Sequence, residues 1–245
     1  MTVMIETNQH GRSASNAASG GGPRPAESTR FRPTERLITL SDPTGEAAEA
    51  IRSLRTYIMA QHVEKGRRAL AICEPGAGAG CSFVAANLAV ALAQVGVNTL
   101  LLEADLRRPS LDKFIRPTEP APGLRRYLTS PDVQLSDVIQ SEVLPRLSVL
   151  YAGSRPQEND SAVQELLAGA PFRDLMTDCL REFDATIIDT PPANRCSDAS
   201  RVSNIAGYAL VVARRDVTLM NDVKTLVSEL EANEAKVVGT VLTAP

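Results

Sequence analysis

From residue 37 onward the chain alternates between short apolar runs and longer amphipathic stretches. The runs at 69–73, 99–103, 147–151, 186–189, 209–213 and 237–242 are apolar nearly throughout, as expected of strands buried on both faces. Between them, 82–95, 161–181, 199–205 and 217–233 carry helical spacing. A further helix is predicted over 45–61, with Asp42 or Thr44 as its cap and acidic residues in its first turns. Strand-helix alternation of this kind implies an α/β three-layer sandwich, a mostly parallel sheet with helices on both faces. Ligands of such sheets bind beyond the carboxyl ends of the strands.

Residues 1–36 read differently. They are rich in Ser, Asn, Gly, Pro and Arg, including Ser19-Gly20-Gly21-Gly22-Pro23, and are predicted to form a disordered tail ahead of one domain at 37–245. With 245 residues, 43% hydrophobic and 22% charged, the chain has enough apolar material for one soluble domain. A net charge of −3 provides no overall positive field for nucleic acid or an anionic membrane. Cys73, Cys81, Cys179 and Cys196 form no CxxC pair and read as reduced thiols. No run approaches the roughly 20 apolar residues of a membrane span, and the N-terminus lacks the apolar stretch of a signal peptide. The expectation is a soluble cytosolic protein, any membrane role of which must come through a partner.

The first strand leads into Glu74-Pro75-Gly76-Ala77-Gly78-Ala79-Gly80-Cys81-Ser82 and then a helix. A glycine turn between strand and helix aims backbone amides at an anion. The phosphate-loop pattern GxxxxGK[ST] fits its last three positions as Gly80, Cys81 and Ser82. Pro75 stands at the first glycine position and Cys81 at the lysine position. Losing one charge-assisted hydrogen bond costs about 1.5–3 kcal/mol, roughly tenfold to a hundredfold in binding. The catalytic loss is larger, because that cation also acts on the transition state. Taken alone, the loop reads equally well as a glycine turn that packs a helix against a sheet. Cys81 has two readings: a thiol sensitised by a helix N-terminus, or a neutral structural residue.

Two strands end in carboxylates, at Leu102-Glu103-Ala104-Asp105 and at Ile187-Ile188-Asp189. Each alone could cap a following turn. Behind a glycine loop, the pair suits a nucleotide site with Mg²⁺, a cation that prefers oxygen ligands and keeps waters.

Together these elements resemble the bacterial tyrosine kinase family, cytoplasmic partners of polysaccharide co-polymerases, over about residues 41–243. Leu102-Glu103-Ala104-Asp105-Leu106-Arg107-Arg108-Pro109 is similar to the family's second Walker-type motif, Asp-x-Asp, with Glu103 at its first aspartate and Asp105 kept. Ile187-Ile188-Asp189-Thr190-Pro191-Pro192, with Asp198 beyond, resembles Walker B. Gly123-Leu124-Arg125-Arg126-Tyr127-Leu128 and Ala152-Gly153 fall where the family has similar stretches. The resemblance implies a P-loop NTPase-like fold, with Gly76, Gly78, Gly80, Cys81 and Ser82 around the nucleotide. It places Ser82, Asp105 and Asp189 on the metal and gives Asp105 and Glu103 a weakened catalytic role. ATP or ADP with Mg²⁺ is the implied cofactor, held weakly or not at all.

The family's Glu-x-x-Arg-x-x-Arg ring-forming helix stands complete as Glu49, Arg52 and Arg55. Spacings of three keep these side chains close to one helix face, where they could also form local ion pairs. The implied partners are further copies of this chain and a membrane co-polymerase. Other family features are missing. The chain stops at Thr243-Ala244-Pro245 instead of a tyrosine cluster, Tyr57, Tyr127, Tyr151 and Tyr208 are scattered, and Thr243 stands where the family commonly has an asparagine near the base. The leading expectation is a kinase-like protein with impaired catalysis that regulates polymer assembly. An active autokinase and a partitioning or cell-division ATPase are the alternatives, the last lacking its signature loop lysine.

Overall fold

A computed structural model describes residues 2–6, 30–153 and 163–244. Its strands, in chain order, are β1 Thr2–Glu6, β2 Phe31–Pro33, β3 Ala69–Cys73, β4 Thr99–Glu103, β5 Ile115–Pro117, β6 Gln140–Leu144, β7 Leu147–Leu150, β8 Ala185–Asp189, β9 Tyr208–Arg214 and β10 Lys236–Ala244. The helices are α1 Ile38–Ser41, α2 Glu46–Gln61, α3 Cys81–Gln94, α4 Leu124–Thr129, α5 Val163–Leu166, α6 Ala170–Glu182, α7 Asp198–Ala206 and α8 Met220–Ala232.

Eight strands form one sheet in the order β1-β10-β9-β3-β8-β4-β7-β6, while β2 and β5 pair separately. Neighbours in the main sheet run parallel, apart from β6, which is antiparallel to β7. The expected α/β sandwich is therefore present. Its central strands are apolar throughout because each serves two cores. On β3, Leu70 and Ile72 join the side chains of α2 and α3, whereas Ala69, Ala71 and Cys73 join those of α6, α7 and α8. On β4, Leu101 faces the first group, and Leu100 and Leu102 face the second. Period-two alternation thus divides a continuous apolar run between two layers.

The structure departs from the sequence expectations in four places. Thr2–Glu6, read as tail, is a strand that pairs in parallel with β10, from Thr2↔Thr240 to Glu6↔Ala244. The partner edge lies at the other end of the chain. Order also starts before residue 37, since Phe31–Pro33 pairs with Ile115–Pro117; the rest of the tail, 7–29, lies outside the described residues. Helix α2 starts from Gly45 with no side-chain cap, because Asp42 and Thr44 precede the cap position. Finally, the helix expected over 161–181 is two helices, with Gly169 as an extended N-cap and a proline, Pro171, opening α6; residues 161 and 162 lie outside the described residues.

Candidate nucleotide site

The loop between β3 and α3 lies at the carboxyl edge of the sheet. Gly78 and Gly80 hold φ of +96° and +99°, a region that glycine enters without penalty and that turns successive amides to one side. The loop backbone is anchored from outside. The Ala193 amide donates to the Glu74 carbonyl at 3.0 Å and the Asn194 amide to the Pro75 carbonyl at 2.9 Å. Thr243 Oγ1 donates to the Ala79 carbonyl at 2.6 Å, and Arg214 Nη1 to the Gly78 carbonyl at 3.4 Å. Thr243, noted in the sequence for its place near a base, is thus a strut for the loop.

Cys81 opens α3 with its side chain pointing into the core. Its thiol donates to the Ile72 carbonyl at 2.8 Å and lies 3.7 Å from the Thr190 carbonyl. Burial pushes the thiol well above its ordinary range, and the charges of Asp189 and Glu74 push it further. This geometry favours the neutral structural residue over the sensitised thiol. Whatever lies on the amide side of the loop receives nothing from Cys81 beyond its backbone N–H.

That side is taken by a residue to which sequence reading assigned no role. The Glu74 carboxylate curls back into the loop and accepts the Gly78 and Cys81 amides, each at 3.3 Å. The Ala79 and Gly80 amides also act on it, lowering its pKa against the larger effect of burial, so that the net direction is upward. Glu74 is 6% exposed. Glu74 stands two positions before the first glycine of the loop, Gly76.

The two acidic strand ends stand side by side, Glu103 of β4 in register with Asp189 of β8. Glu103 Oε1 accepts the Ser110 and Leu111 amides, the latter at 2.8 Å, and Oε2 accepts the Ala152 amide at 2.9 Å. Its carboxylate therefore ties down the loop after β4 and the exit of β7. Asp105 uses Oδ1 to accept the amides of Arg107 at 3.1 Å and Arg108 at 2.8 Å. Asp189 is 1% exposed, and among the described residues neither of its oxygens has a hydrogen-bond partner. Burial drives its carboxyl up to about 8, with Glu103 and Asp105 adding to the rise and the nearby Ser82 hydroxyl and Cys81 thiol opposing it.

Other quoted stretches also converge. Gly123 lies so close to the chain after β7 that a Cβ there would stand 2.3 Å from the Gly153 nitrogen. The Leu124 and Arg125 amides donate to the Tyr151 and Ala152 carbonyls at 2.7 and 3.0 Å. Asp198, buried at the start of α7, pairs with Arg107 at 3.4 Å and Arg201 at 3.7 Å.

Two halves of a nucleotide site can be tested on this geometry. An orphaned buried carboxylate at Asp189, the Ser82 hydroxyl and the free Oδ2 of Asp105 are hard oxygen donors of the kind Mg²⁺ takes. Among the described residues no group of three or more His, Cys, Asp or Glu is placed to hold a metal, so this set would leave several positions to water. When bound, Mg²⁺ would offset phosphate charge. The phosphate half does not fit as it stands, because a carboxylate already occupies the loop amides.

A family model described as ParA, an NUBPL iron-transfer P-loop NTPase, matches residues 66–243. The putative tyrosine-protein kinase CapB of Staphylococcus aureus is 30% identical over 84% of this chain and 88% of its own length. The tyrosine-protein kinase ptk of Acinetobacter johnsonii is 35% identical over 84% of this chain. The kinase domain of the Escherichia coli tyrosine kinase ETK superposes with a TM-score of 0.76 at 29% identity, covering 85% of this chain and 79% of that domain. The chain belongs to the bacterial tyrosine kinase family of P-loop proteins. It spans 27% of the Acinetobacter kinase's length.

Glu49, Arg52 and Arg55, the Glu-x-x-Arg-x-x-Arg residues, are all on α2. Arg52 is engaged within its own chain, donating to Glu49 Oε2 at 2.6 and 2.9 Å and to the Pro43 carbonyl at 2.7 Å. Arg55 is half-buried and makes no ion pair among the described residues. Three of the four tyrosines are engaged within the fold. Tyr57 donates to the Val238 carbonyl at 2.8 Å, Tyr151 to the Ile115 carbonyl at 2.9 Å, and the Tyr208 ring packs edge-on to His62 at 4.9 Å. Among the described residues, no helix is long and apolar enough to cross a membrane.

Proposed function

We propose that this chain is a kinase-like regulator of bacterial polysaccharide synthesis and export whose own phosphoryl transfer is impaired. The observation that carries the reading is Cys81, which stands at the lysine position and turns its neutral thiol into the core toward Ile72. Phosphoryl transfer depends on cations and positioned donors around the transferring group, and this side chain supplies none. Glu103 supports the same reading, since three backbone amides consume its carboxylate; it positions loops and is not a catalytic residue. Asp105, Asp189 and Ser82 retain the metal half of the site, which leaves room for residual Mg²⁺ binding.

In this reading the working surfaces are protein interfaces. Glu49, Arg52 and Arg55 on α2 join copies of the chain, and a membrane co-polymerase recruits the assembly to the inner membrane. The test is genetic complementation. A strain lacking the chain should make surface polysaccharide of altered amount or length, and Ser82→Ala, which removes a metal-site hydroxyl, should restore the normal product. Failure of Ser82→Ala to restore it, with the protein present at normal level, would favour the active autokinase.

A further inference from the structure

We propose that the phosphate cradle of this chain is filled from within, the Glu74 carboxylate acting as a built-in anion that keeps external phosphate off the loop. This goes beyond the impaired-catalysis reading, which needs only the absence of the lysine.

The argument begins with backbone accounting. A loop that turns its amides inward must satisfy them with a ligand, with water or with its own side chains, because buried N–H groups are rarely left unpaired. Here the Gly78 and Cys81 amides donate to the two Glu74 oxygens at 3.3 Å, and Ala79 and Gly80 face the same carboxylate. One side chain thus accepts from the amide donors that a phosphate would use. The loop is also braced around it, by Thr243 on the Ala79 carbonyl and by the Ala193 and Asn194 amides on Glu74 and Pro75. The tether matters as well, since a group held on a short link competes at an effective concentration of about millimolar or higher. An incoming phosphate would have to displace Glu74 and would then face its charge, with Asp189 close by and no lysine to offset either. Restoring the lysine alone would set it beside Glu74 before any nucleotide arrived.

Calorimetry with inorganic pyrophosphate tests the idea on wild type, Glu74→Ser, Cys81→Lys and the double variant. The expected result is no binding to wild type at millimolar pyrophosphate and at least tenfold tighter binding to Glu74→Ser. Cys81→Lys alone should gain less than the same change made on the Glu74→Ser background. Wild-type binding equal to that of Glu74→Ser, or a folded Glu74→Ser variant that binds no better than wild type, would overturn the proposal. If Glu74→Ser does not fold, amide hydrogen exchange on the ligand-free wild type decides. Slow exchange at Gly78 and Cys81 is expected, and exchange at the rate of open loops overturns it. Pyrophosphate binding to wild type without ATP turnover would remove the filled cradle and leave the impaired-catalysis reading standing. ATP turnover by wild type would instead remove that reading.

Discussion

Glu103 and Asp189 are register partners on adjacent parallel strands, yet one carboxylate accepts three backbone amides and the other accepts none. Glu103 is consumed by structure, while Asp189 is a buried acid held without a hydrogen-bond partner. The contrast separates a carboxylate consumed by backbone amides from one whose oxygens have no hydrogen-bond partner among the described residues.

Removing the scaffold acid should be costly. Glu103→Ala leaves three amides without their acceptor, at about 1–3 kcal/mol for each unsatisfied buried group. At roughly 2–4 °C per kcal/mol for a chain of this size, thermal melting should fall by at least about 6 °C. Glu103→Gln, which keeps an acceptor oxygen, should lose less. A drop under about 2 °C in the alanine variant would mean that the three amides find other partners.

The orphaned acid should behave in the opposite way. Asp189→Asn removes a charge that the fold does not pair, so stability at pH 8 and above should hold or rise. Any Mg²⁺ binding by the wild type should disappear in the variant. Chemical denaturation at pH 8.5 and Mg²⁺ titration calorimetry measure the two effects, and a large destabilisation at that pH would show that Asp189 is paired after all.

His62 provides a pH signature. Burial pulls its imidazole down to about 4, the Arg67 charge adding to the fall and the Ala69 carbonyl, 2.9 Å from Nε2, opposing it. The unfolded chain takes up a proton near the ordinary pKa of about 6.5, before the folded chain does. The His62 contribution to stability is therefore fully present above about 6.5 and is lost as pH falls toward 4. Asp189, with its raised pKa, contributes the opposite slope between about pH 4 and 8 in any variant that retains it. The difference in melting temperature between wild type and His62→Gln should therefore shift in the variant's favour from pH 7 to pH 4.5. A pH-independent difference would place a charged or solvated imidazole at this position.

Thiol chemistry checks the direction of Cys81. Cys73, Cys81 and Cys179 are buried, and Cys196 is partly exposed. Native iodoacetamide labelling followed by peptide mass spectrometry should modify Cys196 first, with the other three reacting only after denaturation. Native modification of Cys81 at the Cys196 rate would mean that its side chain faces solvent.

Much of the central sheet was legible in the sequence. The runs at β3 and β4 fall on the expected residues because a strand serving two cores must be apolar at every position. β2, β5 and β6 were not legible, since Phe31-Arg32-Pro33, Ile115-Arg116-Pro117 and Gln140–Leu144 are short, carry polar residues and owe their order to distant partners. The site divides in the same way. The positions of Gly78, Gly80, Ser82 and Asp189 follow from strand ends and glycine spacing. The roles of Glu74 and Glu103 do not, because each depends on which backbone amides a folded loop brings within reach, and residue type at a strand end carries no record of that.

Steady-state phosphate release from Mg²⁺-ATP by the purified chain, beside its Asp189→Asn variant, bears most directly on whether this family member transfers phosphoryl groups. The expected result is the same background rate for both proteins. Sustained wild-type turnover that Asp189→Asn abolishes would contradict impaired catalysis and establish an ATP-using enzyme without the loop lysine.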